Sequence, residues 1–150
     1  MKQTLALLLV LALACCKGQS SKLSDEGIEV NQVSTSYDIY YSLGRADLQK
    51  DQCKPTLDSI LTFLNAHPTI TIEIGVHTDF RGDAEDNRKL SQSRADNLKE
   101  YFVSNGINTN RITPIGYGES KPIRSLAEQN ELGNDMKNVN RRVTFKILKK

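Results

Sequence analysis

The segment His77-Thr78-Asp79, followed by Asn87 and then by Arg94 within Leu90-Ser91-Gln92-Ser93-Arg94-Ala95, sets one carboxylate and one guanidinium fifteen residues apart in a chain of 150. Arginine presents a planar fork that fits a carboxylate, and aspartate accepts an ammonium. The two together therefore suit a ligand that is amine and acid at once. A helix N-terminus close to Arg94 would add backbone N–H groups for the ligand's anionic end. That is binding chemistry, not catalysis. The competing account is an internal Asp79–Arg94 salt bridge that only fixes the loop, with Asn87 as a cap or loop amide, and spacing alone leaves both open.

Other chemistries find little in the chain. A metal set would need His77 and Asp79 to recruit a third ligand, but His67, the only other histidine, stands at the opposite end of the same expected strand, about 20 Å or more away. His77 is then a hydrogen-bonding support for the loop. No Gly-x-Gly-x-x-Gly or Gly-Lys-Ser/Thr phosphate loop occurs, and no serine sits in a Gly-x-Ser-x-Gly elbow. The expectation is a protein that is not an enzyme and carries neither cofactor nor metal.

The elements that must position the pair follow from periodicity. Tyr37, Ile39 and Tyr41 alternate with polar neighbours and predict a first strand over residues 36–41. Leu57, Ile60, Leu61 and Leu64 predict a helix over 55–65, with Pro55 at its first position. Residues 69–76 read as the clearest strand, with Ile70, Ile72, Ile74 and Val76 on one face. A turn-rich loop at Phe80-Arg81-Gly82-Asp83 precedes a long helix, from Asn87 or Lys89 to Ser104, closed by Asn105-Gly106. On that helix Leu90, Arg94, Leu98 and Phe102 share a face, which aims Arg94 along an apolar stripe near the helix start. Strands over 112–115 and 142–148 and a helix over 125–132 complete the pattern. Strands alternating with helices predict an α/β sandwich, one sheet with helices on a face, whose last strand is free to run antiparallel.

The N-terminus has another purpose. Lys2, an apolar run from Leu5 to Leu13, and the junction Ala14-Cys15 make a short export signal, too short to span a bilayer. The junction looks like a bacterial lipobox, with Cys15 as the lipidated residue and Cys16 as the alternative; ordinary secretion and a buried strand are the competing readings. The expected division is residues 1–14 as signal peptide, 15–35 as a lipid-anchored tether rich in Ser, Lys, Asp, Glu and Gly, and 36–150 as one domain. Losing one of 20 basic residues with the signal leaves 19 against 18 acidic ones. Such a balance gives no reason to expect nucleic acid. Cys53 has no internal disulfide partner once the lipid site is occupied, and reads as a core or half-buried thiol.

His77-Thr78-Asp79, Gly82, Asn87, Leu90-Ser91, Arg94-Ala95, Gly106-Ile107, Arg111-Ile112, Gly116-Tyr117-Gly118-Glu119, Pro122 and Asn140-Arg141-Arg142-Val143 agree in order and spacing with one family. They resemble the OmpA-like C-terminal domain, the peptidoglycan-associated module, over residues 37–146. The resemblance implies a βαβαβ-type fold with a mixed sheet that binds the wall's stem peptide non-covalently. It further implies that Asp79 and Arg94 grip the diaminopimelate, Thr78 and Asn87 help line the pocket, and Arg141 and Arg142 buttress it or touch the ligand. Val76 stands where the family usually has glycine. Arg81 is left open between an extra contact and a solvated side chain. The expected partners are peptidoglycan, the lipid bilayer through Cys15, and envelope proteins that no exposed stripe identifies; the expected address is the periplasmic side of an outer membrane. An envelope protein that uses the same scaffold to bind another protein is the alternative.

Overall fold

The structure, a computed structural model, describes residues 27–36, 38–125 and 139–150. The export signal, Cys15 and Cys16, most of the tether, Tyr37 and the expected helix over 125–132 beyond its first residue lie outside the described residues. Six regular elements follow in order: β1 (Val33–Ser36), α1 (Lys50–Ala66), β2 (Thr71–His77), α2 (Ala84–Ser104), β3 (Ile112–Gly118) and β4 (Arg142–Lys149), with a 3₁₀ turn at Thr109–Arg111 before β3. The sheet order is β1-β4-β2-β3. β3 runs parallel to β2, and β4 runs antiparallel to both β2 and β1. This is the mixed α/β sheet expected from the sequence.

The period of two in β2 decides which face is buried. Ile72, Ile74 and Val76 pair across the ladder with Ile147, Phe145 and Val143 of β4, so both strands turn apolar side chains to one side. Leu57 and Leu64 of α1 and Leu98 and Phe102 of α2 close over that side, each fully buried. Burying a side chain of this size stabilises the fold by roughly 1.5–3 kcal/mol. The opposite parity carries Thr71, Glu73, Thr144 and Lys146, all only half-buried.

Five expectations about the elements need correction. The first strand is β1 at Val33–Ser36, not 36–41, and the end of the expected tether belongs to the domain. Ile28 is buried, Asn31 N–H donates to Ile147 O at 2.8 Å, and Ile147 N–H donates to Gln32 O at 2.9 Å. Val-Ser-Thr-Ser has no apolar alternation, but pairing with the edge of β4 requires only backbone groups. The alternation seen at Ile39 and Tyr41 belongs instead to a segment in which Tyr41 bridges Leu48.

The first helix begins at Lys50, so Pro55 lies inside it. Its missing N–H forfeits one bond, to the carbonyl of the exposed Asp51 one turn earlier, where water can replace it. In return the buried stripe gains a turn, because Cys53 is fully buried ahead of Leu57.

The long helix starts at Ala84, where the Asp83 carboxylate accepts from the N–H groups of Glu85 (2.8 Å) and Asp86 (3.2 Å). Its most buried face is Asn87-Ser91-Ala95-Leu98-Phe102, beside the stripe chosen from hydrophobicity. The reason is that β3 is met by small and polar residues. A Cβ on Gly116 would overlap the backbone of Gln92, so only glycine lets the helix lie this close. The side chains then cap the strand: Gly116 N–H donates to Gln92 Oε1 and Gly118 N–H to Ser91 Oγ, both at 2.8 Å.

Gly116→Ala should therefore destabilise the protein by about 1–3 kcal/mol through forced separation of α2 from β3. Urea unfolding measures it, and a variant as stable as wild type would contradict the close-packing account.

Candidate ligand cleft at the strand ends

β2 ends at His77, and Asp79 follows in the loop to α2, buried with 7% of its side chain exposed. Burial of a carboxylate demands hydrogen bonds and opposite charge, and both are supplied. Asp79 Oδ1 accepts Arg81 N–H at 3.1 Å, while Oδ2 takes Arg81 Nε at 3.0 Å and Arg141 Nε at 3.4 Å. Asn87, one turn into α2, fixes this loop. Its Nδ2 lies 3.0 Å from Arg81 O, 3.4 Å from Asp79 O and 2.7 Å from Glu119 Oε2.

Arg94 is not the partner of Asp79. Its guanidinium donates to Arg45 O at 2.9 Å and reaches Ser42 O at 3.5 Å, and its Cζ lies 4.9 Å from the centre of the Tyr41 ring. The Tyr41 hydroxyl donates to Arg94 O at 3.3 Å. Burial pushes the Tyr41 phenol well up, so it stays protonated and able to donate. Cys53 of α1 holds this wall in place: Tyr40 N–H donates to its sulfur at 3.0 Å. The internal Asp79–Arg94 bridge is thus absent, and Arg94 meets neutral oxygens and a π face. Arg94 also lies ten residues past Ala84, about 15 Å along the helix, and Asp83 already caps the helix start, so the N-terminal amides do not serve the site.

A cleft of about 410 Å³ is lined by Tyr41, Val76, His77, Arg94, Arg141 and Arg142 with their neighbours. Of the six residues expected at the ligand, Arg94, Arg141 and Arg142 line it. Asp79 is joined to it through Arg141, and Asn87 and Thr78 are not among its lining residues. Thr78 N–H donates to Gly118 O at 2.9 Å, while its hydroxyl is buried without a partner. The closing motif divides its work. Asn140 Oδ1 accepts the N–H groups of Ile123 (2.9 Å) and Arg124 (3.0 Å), and Arg142 Nη2 donates to Lys121 O at 2.9 Å. Tyr41 and the carbonyls at 42 and 45 were missed from sequence, although an aromatic at inward parity is a usual seat for a guanidinium.

His77 is 5% exposed, and its ring stacks on Tyr117 with centroids 5.0 Å apart. His77 Nε2 lies 3.3 Å from the Thr144 hydroxyl, which also lies 3.2 Å from Gly75 O. Nδ1 is buried without a hydrogen-bond partner. Burial first, then the cations Arg142 and Lys121, bring the imidazole down to about 4. Among the described residues no group of three His, Cys, Asp or Glu could hold a metal ion.

A sequence model described as OmpA family matches residues 40–134. The chain belongs to the OmpA family. The peptidoglycan-associated lipoprotein of Pasteurella multocida is 30% identical over 118 residues, which cover 75% of this chain and 78% of that protein. Outer membrane porin F of Pseudomonas fluorescens is 39% identical over 105 residues, 67% of this chain but only 31% of the porin. The chain thus spans under a third of that longer relative. The same fold recurs in the crystal structure of the peptidoglycan-associated lipoprotein from Burkholderia pseudomallei, with TM-score 0.59, 22% identity, and coverage of 87% of this chain and all of that one. The periplasmic domain of Helicobacter pylori MotB (residues 97–256) gives TM-score 0.65 at 16% identity, covering 83% of this chain and 86% of that one.

The His77 pKa carries a stability consequence. Above pH 6.5 the ring is neutral folded and unfolded. As pH falls from 6.5 towards 4 only the unfolded chain takes up the proton, so stability drops, by up to about 3 kcal/mol. His77→Gln should remove that part of the pH dependence. Stability curves of both proteins between pH 7 and 4 check it, and parallel curves would contradict it.

Proposed function

We propose that this protein binds the stem peptide of peptidoglycan non-covalently, through a residue bearing both ammonium and carboxylate such as diaminopimelate, and that it is a binding protein without catalytic activity. The observation that carries the reading is the separation of the two charges. Among the described residues Arg94 hydrogen-bonds to carbonyl oxygens at the wall of a cleft and forms no ion pair with Asp79, so an incoming carboxylate gains a charge-assisted pair there without breaking an internal salt bridge. Asp79, the buried carboxylate of the loop beyond β2, would take the ammonium. Asn87 and Asn140 act as positioning residues, and Arg141 and Arg142 give the cleft its positive rim. Relatives named as peptidoglycan-associated lipoproteins support this reading.

The second half of the proposal is attachment. A lipid on Cys15 would fix one end of the chain in an envelope membrane, the outer membrane being the simplest address, while the domain holds the wall. The support is the Lys2, Leu-rich, Ala14-Cys15 pattern. Several acyl chains at one cysteine would hold a protein firmly where one chain would not.

The test is co-sedimentation of the full-length chain, in detergent, with purified diaminopimelate-type peptidoglycan. Wild type should pellet with the wall. Asp79→Ala and Arg94→Ala should each bind about ten- to a hundredfold more weakly, the loss of one charged hydrogen-bonding partner, with unchanged circular dichroism. In cells expressing the chain, Cys15→Ala should move the protein out of the membrane fraction. A folded wild type that ignores the wall would move the function to protein contacts.

A further inference from the structure

In the free protein Asp79 is already occupied. Both carboxylate oxygens have cationic or N–H partners, and only 7% of the side chain is exposed, so a ligand ammonium meets Arg81 and Arg141 before it meets the carboxylate. One of the two guanidiniums has to yield. Arg81 is the looser, with 58% of its side chain exposed against 42% for Arg141 and a place on the turn next to Gly82, whose φ is +94°. Arg141 keeps at least one further interaction besides Asp79 and lines the cleft itself.

We propose that Arg81 is a self-occupying gate on Asp79: its guanidinium stands in for the ligand's ammonium in the free cleft and is displaced when a cationic amine arrives. The inference rests on the wall-binding reading and assigns Arg81 a part in it. The loop is built for such an exchange. The Arg81 backbone N–H stays on Oδ1 and Asn87 keeps its grip on Arg81 O and Asp79 O, so the side chain can leave Oδ2 without the loop unfolding. The exchange also selects. A neutral amide brings no charge to replace the guanidinium on a buried carboxylate, so an N-acylated ligand leaves the gate shut, whereas a free amine opens it.

Titration calorimetry on the full-length chain in detergent tests this, with meso-diaminopimelate and its N,N′-diacetyl derivative as probes. Removing a competitor should strengthen binding, opposite in sign to the loss expected from removing Asp79 or Arg94. Arg81→Ala and Arg81→Gln should each bind diaminopimelate about two- to fivefold more tightly than wild type, the size expected for a half-exposed ion pair. Binding of the diacetyl derivative should not change. If wild type binds diaminopimelate and both variants bind it equally or more weakly, the gate is wrong and the wall-binding reading stands. If neither wild type nor variants bind it, both are wrong.

Discussion

Everything at the cleft depends on how closely α2 lies on β3. The absence of side chains at Gly116 and Gly118 allows the backbone of the helix to approach the strand, and Ser91 and Gln92 then hydrogen-bond the strand's own N–H groups. That contact fixes the helix in two directions. One turn before Ser91 it brings Asn87 under the carbonyls of the Asp79 loop, and three residues after Ser91 it places Arg94 against the Tyr41 ring. A helix held further off would leave Asp79 without its loop support and Arg94 without its wall.

The second constraint is electrostatic. A buried carboxylate and a half-buried guanidinium in the same region would ordinarily find each other, because an unpaired charge away from water is costly. Here the chain gives each a different solution. Asp79 is neutralised by the cations of its own loop and of the β4 entrance, and Arg94 is solvated by carbonyls and a π face supplied from before α1. The free protein thereby keeps these two charges apart. On the proposed reading, a zwitterionic ligand would engage both without breaking a bond between them.

Much of this was legible in the sequence, and the failures have physical causes. β2 and β4 were readable because β-branched and aromatic residues alternate strictly where one face is buried. β1 was not, because an edge strand of Val-Ser-Thr-Ser is held by backbone pairing that leaves no hydrophobic period. The buried face of α2 was misplaced by one position because Asn87 and Ser91 are buried for their hydrogen bonds, and a hydrophobic pattern cannot register that. Asp79 and Arg94 stood out by type and spacing. Of their actual partners, Arg81 is local to Asp79 and was left open, whereas those at residues 42, 45 and 141 come from segments whose approach only the tertiary fold determines.

The central claim is that one ligand carrying both charges is recognised by two protein charges that do not pair with each other. Competition against wall binding by three small molecules tests it most directly: meso-diaminopimelate, pimelate, which has the carboxylates without the amines, and cadaverine, which has the amines without the carboxylates. The account predicts that diaminopimelate releases the protein from peptidoglycan and that neither of the other two does so at the same concentration. Release by pimelate alone would show that Arg94 and its neighbours bind an anion without any part for Asp79, and would contradict the claim.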